Sequence, residues 1–354
     1  MKEIKNRIDK QLFDIYKSFF YDTPESFSMI DTSRNYGDVE DMRNNFIFVS
    51  DKNVKRVIKI CSNSFTVPDR IRAWQRTVEE YINLGYYCPR IISDKNGGFP
   101  YVEFKGRRCV VYAEEYSRFL PLEERNAEQE EGVKEPPDIT YKKWLMTARV
   151  AAKHFDHTQY PSGYCLFEKF CDSDKSDEIL EDANEWKAIA DKLPERFKVQ
   201  KERIWHTWLK NRAELEKVYR TLPTSVFQAD LNTTNLLVDK DGRFVGVYDF
   251  NLCGREVFLN YLMRENHDED FDKELQRIKN ALSISSEVYT FSEEEREYAL
   301  MLYRCLTPVR RAWKLSSLLD EGDDVKIQAF LDRTEQSLVK EIDFLDVRKT
   351  REQI

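Results

Sequence analysis

The chain has 354 residues, longer than one compact core usually grows, so two lobes are the starting expectation. Apolar residues make up 41%, with 22 Phe, 18 Tyr and 6 Trp among the aromatic residues, which rules out a disordered chain despite the 34% of charged residues. With 56 basic against 64 acidic residues the net charge is -8, so a chain-wide basic footprint for nucleic acid or anionic lipid is missing, although a local patch is not ruled out.

In chain order, Ile4, Ile8, Leu12, Ile15, Tyr16 and Phe19 fall at helical spacing and predict an amphipathic helix over 2–20. The period then changes. Asn45 to Val49, the turn Ser50-Asp51-Lys52-Asn53, and Val54 to Ile60 read as a β-hairpin. Residues 69–84 return to a helix with Trp74, Val78, Tyr81 and Ile82 on one face, ending at Gly85. Cys109 to Ala113 form an apolar strand that closes a first, sheet-containing region. The Glu-rich stretch 123–138, with Glu128, Glu130 and Glu131 before Pro136-Pro137, reads as a solvated connection. From 140 onward the pattern is mostly helical. The segment 202–220 carries Ile204, Trp205, Trp208, Leu209, Leu215, Val218 and Tyr219 as a wide apolar stripe. Residues 293–319 and 324–345 repeat this style, with Pro308 kinking or starting a helix.

Cys61, Cys88, Cys109, Cys165, Cys171, Cys253 and Cys305 are odd in number, scattered, and without a Cys-x-x-Cys pair, which is neither a disulfide framework nor a zinc site. No stretch approaches the roughly 18 to 20 apolar residues a membrane helix needs, and no apolar signal core opens the chain. A reduced, soluble, cytoplasmic protein with no nucleic-acid and no membrane partner is the expectation.

One interruption of the helical half carries chemistry. Ser225 to Asn235 lead into a second hairpin, Leu236 to Asp239 and Arg243 to Tyr248 around Lys240-Asp241-Gly242, and its second strand ends in Asp249-Phe250. Closing that hairpin brings Asn235 and Asp249 together. Hard oxygen ligands of this kind suit Mg²⁺, which takes few protein ligands beside phosphate oxygens and water. Asp230, a short loop away, is then placed to accept a proton from a hydroxyl nucleophile, the geometry phosphoryl transfer needs. The alternative is a polar turn in which Asp230 and Asn235 only cap backbone groups.

Asp-x-x-x-x-Asn, a short hairpin and Asp-Phe resemble the catalytic and metal loops of the protein-kinase-like fold. The longer string, Phe227 to Asp239 followed by Gly246 to Phe250, resembles the aminoglycoside phosphotransferase and choline kinase superfamily, whose members phosphorylate hydroxyls of small molecules with a nucleoside triphosphate. The resemblance covers 28–345 by order of elements and 225–251 as a specific motif. It implies Asp230 as the catalytic aspartate and Asn235 and Asp249 as Mg²⁺ ligands. Gln228 and Ala229 depart from it, since the family usually has His two positions before the aspartate and Gly or Asn directly before it.

The same resemblance places Lys59, in Val57-Ile58-Lys59-Ile60, as the strand lysine that reaches the α- and β-phosphates, with Val57 on the same face to roof the base. An exposed edge-strand lysine is the competing reading. Glu79 and Glu80 on the following helix are candidate partners for Lys59. Val110 to Tyr116 resemble the hinge strand and linker, where main-chain groups of Glu114 and Tyr116 would take the base. Asn35-Tyr36-Gly37-Asp38 to Asn45 holds one glycine and no Gly-x-Gly-x-x-Gly, as in the small-molecule kinases. No Ala-Pro-Glu follows Asp249, which argues against a protein substrate. His154 and His157 lack further ligands at metal-site spacing.

The fold expected is α+β and two-lobed, protein-kinase-like, with a small β-rich N-lobe over 1–114 and a larger, mainly helical C-lobe over 115–354 that carries the catalytic and metal loops. The nucleotide is expected at the cleft between them. The activity expected is transfer of the γ-phosphate of ATP or GTP, with Mg²⁺, to a hydroxyl of a small acceptor. The alternatives are a non-catalytic nucleotide-binding protein, a protein kinase or a nucleotidyl transferase on the same fold. Asp268, Glu269 and Asp270, within a run of carboxylates after the metal strand, are candidates for the acceptor side and would favour a cationic acceptor such as an aminoglycoside or amino alcohol; a solvated acidic loop is the plain alternative.

Overall fold

The structure, a computed structural model, describes residues 8–36, 39–125, 135–156 and 158–345. Ile4, Gly37, Asp38, Glu128, Glu130, Glu131 and His157, which figure in the sequence reading, lie outside them. The chain divides into two units, one of 1–139, 171–173 and 228–254, the other of 140–170, 174–227 and 255–354.

In the first unit, α1 (Lys10–Phe19) is capped by the Asp9 carboxylate, which accepts the Leu12 N–H at 2.8 Å. The strands β1 (Pro24–Asp31), β2 (Arg34–Tyr36), β3 (Val39–Asp41), β4 (Arg43–Ser50) and β5 (Lys55–Cys61) follow, then α2 (Pro68–Asn83). Next come β6 (Ile91–Ile92), β7 (Tyr101–Phe104), β8 (Arg107–Glu115), β9 (Leu120–Pro121) and α3 (Leu122–Arg125). The main sheet runs β1-β4-β5-β8-β6, with β7 also on β8. Period-two alternation sets its faces. Phe46 and Phe48 of β4 and Ile58 and Ile60 of β5 turn to one side and bury against Leu12, Ile15, Tyr16 and Phe19 of α1. Val57 and Lys59 therefore face the other way, which is the side that α2 covers through Trp74 against Tyr112. The edge strand β1 carried no sequence signal because most of its side chains are exposed.

The second unit is mainly helical. It contains α4 (Pro137–Ala151) from Thr140 on, α5 (Glu178–Ala190), α6 (Lys198–Tyr219) and β10 (Thr224–Phe227). Between β10 and its partner β13 (Gly254–Val257) the chain makes β11 (Leu236–Val238) and β12 (Phe244–Val247). After β13 come α7 (Phe258–Glu265), α8 (Phe271–Ser285), α9 (Glu293–Leu306), α10 (Ala312–Glu321) and α11 (Asp324–Val339). Pro308 falls in the break between α9 and α10, so one predicted apolar stretch is two helices. Trp144, Trp186 and Trp208 are fully buried, and Trp208 donates its indole N–H to the Cys305 carbonyl at 2.8 Å.

The structure differs from the expected division of the chain: 115–139 and 171–173, expected in the helical part, belong to the first unit. The hairpin β11–β12 and its flanking loops group with the sheet, not with the helices. Backbone pairing is the reason: β11 pairs with β9 through Leu237 and Pro121, and Tyr87 bridges Gly246. No described helix is long and apolar enough to cross a membrane.

Candidate active site

Asp230, Asn235, Asp249 and Lys59 all lie in the first unit. The turn after β10 is tied by its own side chains. Gln228, fully buried, accepts the Asp230 N–H on Oε1 at 2.7 Å and donates from Nε2 to the carbonyls of Tyr248 and Asp249, both at 3.1 Å. It thus braces the Asp230 loop against the segment that leads into Asp249 with one neutral amide. Asn235 donates from Nδ2 to the Asp230 carbonyl at 2.9 Å, and its own carbonyl takes the Tyr248 N–H at 3.2 Å. Closing of the β11–β12 hairpin therefore does bring residue 235 to the strand that ends at 249, with Leu236 opposite Val247. The Asp230 carboxylate is exposed and takes a 2.9 Å hydrogen bond from Asn232 Nδ2.

Asp249 sits at φ 61°, a left-handed conformation that Asp adopts more readily than most residues and that costs of the order of 1 kcal/mol. This turn aims its carboxylate at Lys59, whose Nζ lies 3.2 Å from Asp249 Oδ1 and 3.0 Å from Glu114 Oε2. The Lys59 and Glu114 side chains are 12% and 10% exposed against 35% for Asp249, so the lysine is anchored on its buried side and open on the other. Burial works against the Lys59 charge, but Asp249 and Glu114 outweigh it and hold the ammonium well above its usual range. Burial also raises the Glu114 carboxyl, against the pull of Lys59.

The partner of Lys59 is a correction to the sequence reading. Glu79 pairs with Arg90 at 3.1 Å, both side chains about half exposed, and Glu80 makes no ion pair with Lys59. The carboxylate comes instead from the neighbouring strand. With Lys59 opposite Tyr112 and Val57 opposite Glu114, the β5–β8 register puts all four side chains on one face. Glu114 was expected to act through its main chain, yet β5 and β6 flank that backbone on both sides, and its carboxylate is the group that meets Lys59. The available signal was an acid at the end of an apolar strand, two places from Tyr112. Tyr116 is 40% exposed, with Lys55 Nζ 4.7 Å from its ring centre.

Tyr81 of α2 is a further residue that sequence reasoning placed only in the core. Its hydroxyl accepts the Gln228 N–H at 3.0 Å and its ring meets Phe250 edge-on at 5.2 Å, so one side chain touches both loops.

The acidic run lies in the second unit. Asp270 caps α8 by accepting the Asp272 and Lys273 N–H groups, Asp268 pairs with Arg277 at 3.0 Å, and Arg311 takes the carbonyls of Asp268 and Glu269. Nearby Phe258 and Tyr261 are buried and stack on Phe227.

Among the described residues no three His, Cys, Asp or Glu side chains gather to hold a metal. The Asp249 carboxylate and the Asn235 amide oxygen fit Mg²⁺, which is content with one or two protein oxygens when phosphate and water supply the rest.

Residues 166–259 match the model of the phosphotransferase enzyme family. No curated protein sequence matches the chain. Among solved structures, a microcompartment-associated aminopropanol kinase is similar with a TM-score of 0.51 at 13% identity, over 87% of this chain and 90% of its own. An amicoumacin kinase solved with AMP-PNP and Ca²⁺ is similar with a TM-score of 0.50 at 12% identity, over 96% of both chains. At such identities the likeness is one of fold, and the fold is the expected α+β, kinase-like one. The matched segment includes Asp230, Asn235 and Asp249, so it is in this part that the chain is similar to the phosphotransferase enzyme family.

Proposed function

We propose that this protein is a small-molecule kinase that transfers the γ-phosphate of ATP or GTP to a hydroxyl of a small acceptor. The observation that carries the reading is the Lys59–Asp249 contact at 3.2 Å, with Asp230 and Asn235 hydrogen-bonded into the same loop cluster. Lys59, charged and anchored on Glu114, moves its free side from Asp249 to the non-transferred phosphates. Asp249 and Asn235 would hold Mg²⁺, which when bound would offset the negative charge of the phosphates. Asp230 orients the acceptor hydroxyl and takes its proton on the carboxylate, while Gln228 and Asn235 fix the loop that presents it.

The test is ADP release with ATP and GTP in turn, over a panel of aminoglycosides, amino alcohols, sugars and homoserine. Turnover with one acceptor class should fall about 10²-fold or more in Asp230→Asn, with Mg·ATP affinity by calorimetry within about twofold of the parent. Mg·ATP binding without acceptor-dependent ADP release above the Asp230→Asn level would favour a non-catalytic nucleotide-binding protein.

A further inference from the structure

A cavity of about 610 Å³ lies wholly within the first unit, on the segment that follows β8, and its lining includes none of Lys59, Glu114, Asp230, Asn235 or Asp249. Four cations, Lys55, Arg56, Arg90 and Arg118, line it against one carboxylate, Glu115. In a chain with more acids than bases, that local excess is not a consequence of composition.

The cations differ in what already neutralises them. Arg56 faces Asp22 at 3.7 Å and Arg90 faces Glu79 at 3.1 Å. Glu115 is also engaged, since its Oε2 accepts the Arg90 N–H at 3.1 Å. Lys55 and Arg118 have no carboxylate at ion-pair distance among the described residues. Aromatic faces hold them instead: Lys55 over Tyr116 at 4.7 Å, and Arg118 over Tyr87 at 4.8 Å and Phe119 at 5.0 Å. The Arg118 N–H is donated to the Tyr87 hydroxyl at 3.1 Å, which fixes the base of that side chain. Ring contacts orient a cation without discharging it, so both keep their capacity for an oxyanion.

We propose that this cavity binds a small organic phosphate through Lys55 and Arg118. Two cations without acids match the dianionic charge of a phosphate monoester, and the guanidinium fork suits its oxygens. The volume is in the range of pockets that enclose an organic molecule, well beyond the need of a bare anion. The site is distinct from the candidate phosphate-transfer residues. Tyr116, whose main chain is a candidate for the base, lines the cavity just past the end of the strand that carries Glu114.

The experiment is calorimetric titration of ribose 5-phosphate, inorganic phosphate and gluconate into the full chain at low salt. Parent, Lys55→Gln/Arg118→Gln and Asp249→Asn proteins are compared. Ribose 5-phosphate should bind the parent most tightly, and the double variant should weaken it by about tenfold or more, the value of a charge-assisted contact. Asp249→Asn should leave that affinity unchanged. Four results would each overturn the proposal. They are equal affinity in parent and double variant, gluconate binding as well as the sugar phosphate, inorganic phosphate binding as tightly, or a tenfold loss in Asp249→Asn that moves the phosphate to the metal loop. If the double variant does not fold, the exposed single substitution Lys55→Gln reads the same change at smaller size. None of these measurements depends on phosphoryl transfer, so the kinase reading stands or falls separately.

Discussion

Lys59 stands between two carboxylates, and the two are not equivalent. Glu114 is buried and belongs to the strand beside it, while Asp249 is the more exposed and sits on a left-handed turn. If Glu114 is the anchor, Glu114→Gln should weaken Mg·ATP binding by about tenfold, as expected for losing a buried charged partner. Glu79→Gln should change it by less than about twofold, because an exposed ion pair contributes little. Calorimetry on the two variants distinguishes them, and a larger effect at Glu79 would return the pairing to α2. This residue shows where sequence reading stops. Lys59, Asp230, Asn235 and Asp249 stand out in the sequence as candidates because each belongs to a short stretch with fixed spacing. Glu114 does not, because its pairing depends on the register between two strands far apart in the chain. Gln228 stood out in sequence only as a departure from the family motif, and its three partners were not legible, since they need the hairpin closed.

At the scale of elements, close backbone contact holds the β11–β12 hairpin within the sheet unit. Tyr87 donates its N–H to the Val245 carbonyl at 2.9 Å and accepts the Val247 N–H at 3.1 Å. Gly246 between them leaves no room for a side chain, since a Cβ there would lie 1.8 Å from the Tyr87 carbonyl oxygen. Gly246→Ala should therefore cost on the order of 3 kcal/mol or more in urea unfolding, and a loss under about 1 kcal/mol would mean that the contact is easily relaxed. In the helical unit, Ser292 and Glu295 form a capping box at the start of α9, and the Tyr289 hydroxyl donates to the same carboxylate. Burial pushes the Glu295 carboxyl up from 4.5 to about 7, against the hydrogen bonds that favour its charge. The folded state then holds a proton that the unfolded chain has released. Its contribution is full below about 4.5 and is lost as pH rises to about 7. Relative to Glu295→Gln, the parent should lose on the order of 2 kcal/mol between pH 5 and 8. Parallel stability curves for the two proteins over that range would show that Glu295 does not titrate there. Ser292 and Glu295 have capping-box spacing, but the burial that moves the carboxyl depends on the packed fold.

For the whole chain, the two-part division was legible from the switch of hydrophobic period, with strands and alternation first and long helical stripes later. The assignment of 228–254 was not, because a hairpin between helical stretches gives no sign in sequence of which unit its backbone will pair with. The cysteines test the packing of both units at once. Cys61, Cys88, Cys109, Cys165, Cys253 and Cys305 are buried as free thiols, while Cys171 is partly exposed. Burial pushes Cys61, Cys88, Cys165, Cys253 and Cys305 up to about 12 and raises Cys109 as well, so these six are both shielded and far from thiolate at neutral pH. A chromogenic disulfide reagent at pH 8 should therefore titrate one thiol of the native protein quickly, and Cys171→Ser should abolish that phase. In denaturant without reductant all seven should react. Two or more fast thiols in the native protein would show that one of the buried sites opens. Fewer than seven on unfolding would reveal a disulfide, against the seven free thiols of the structure.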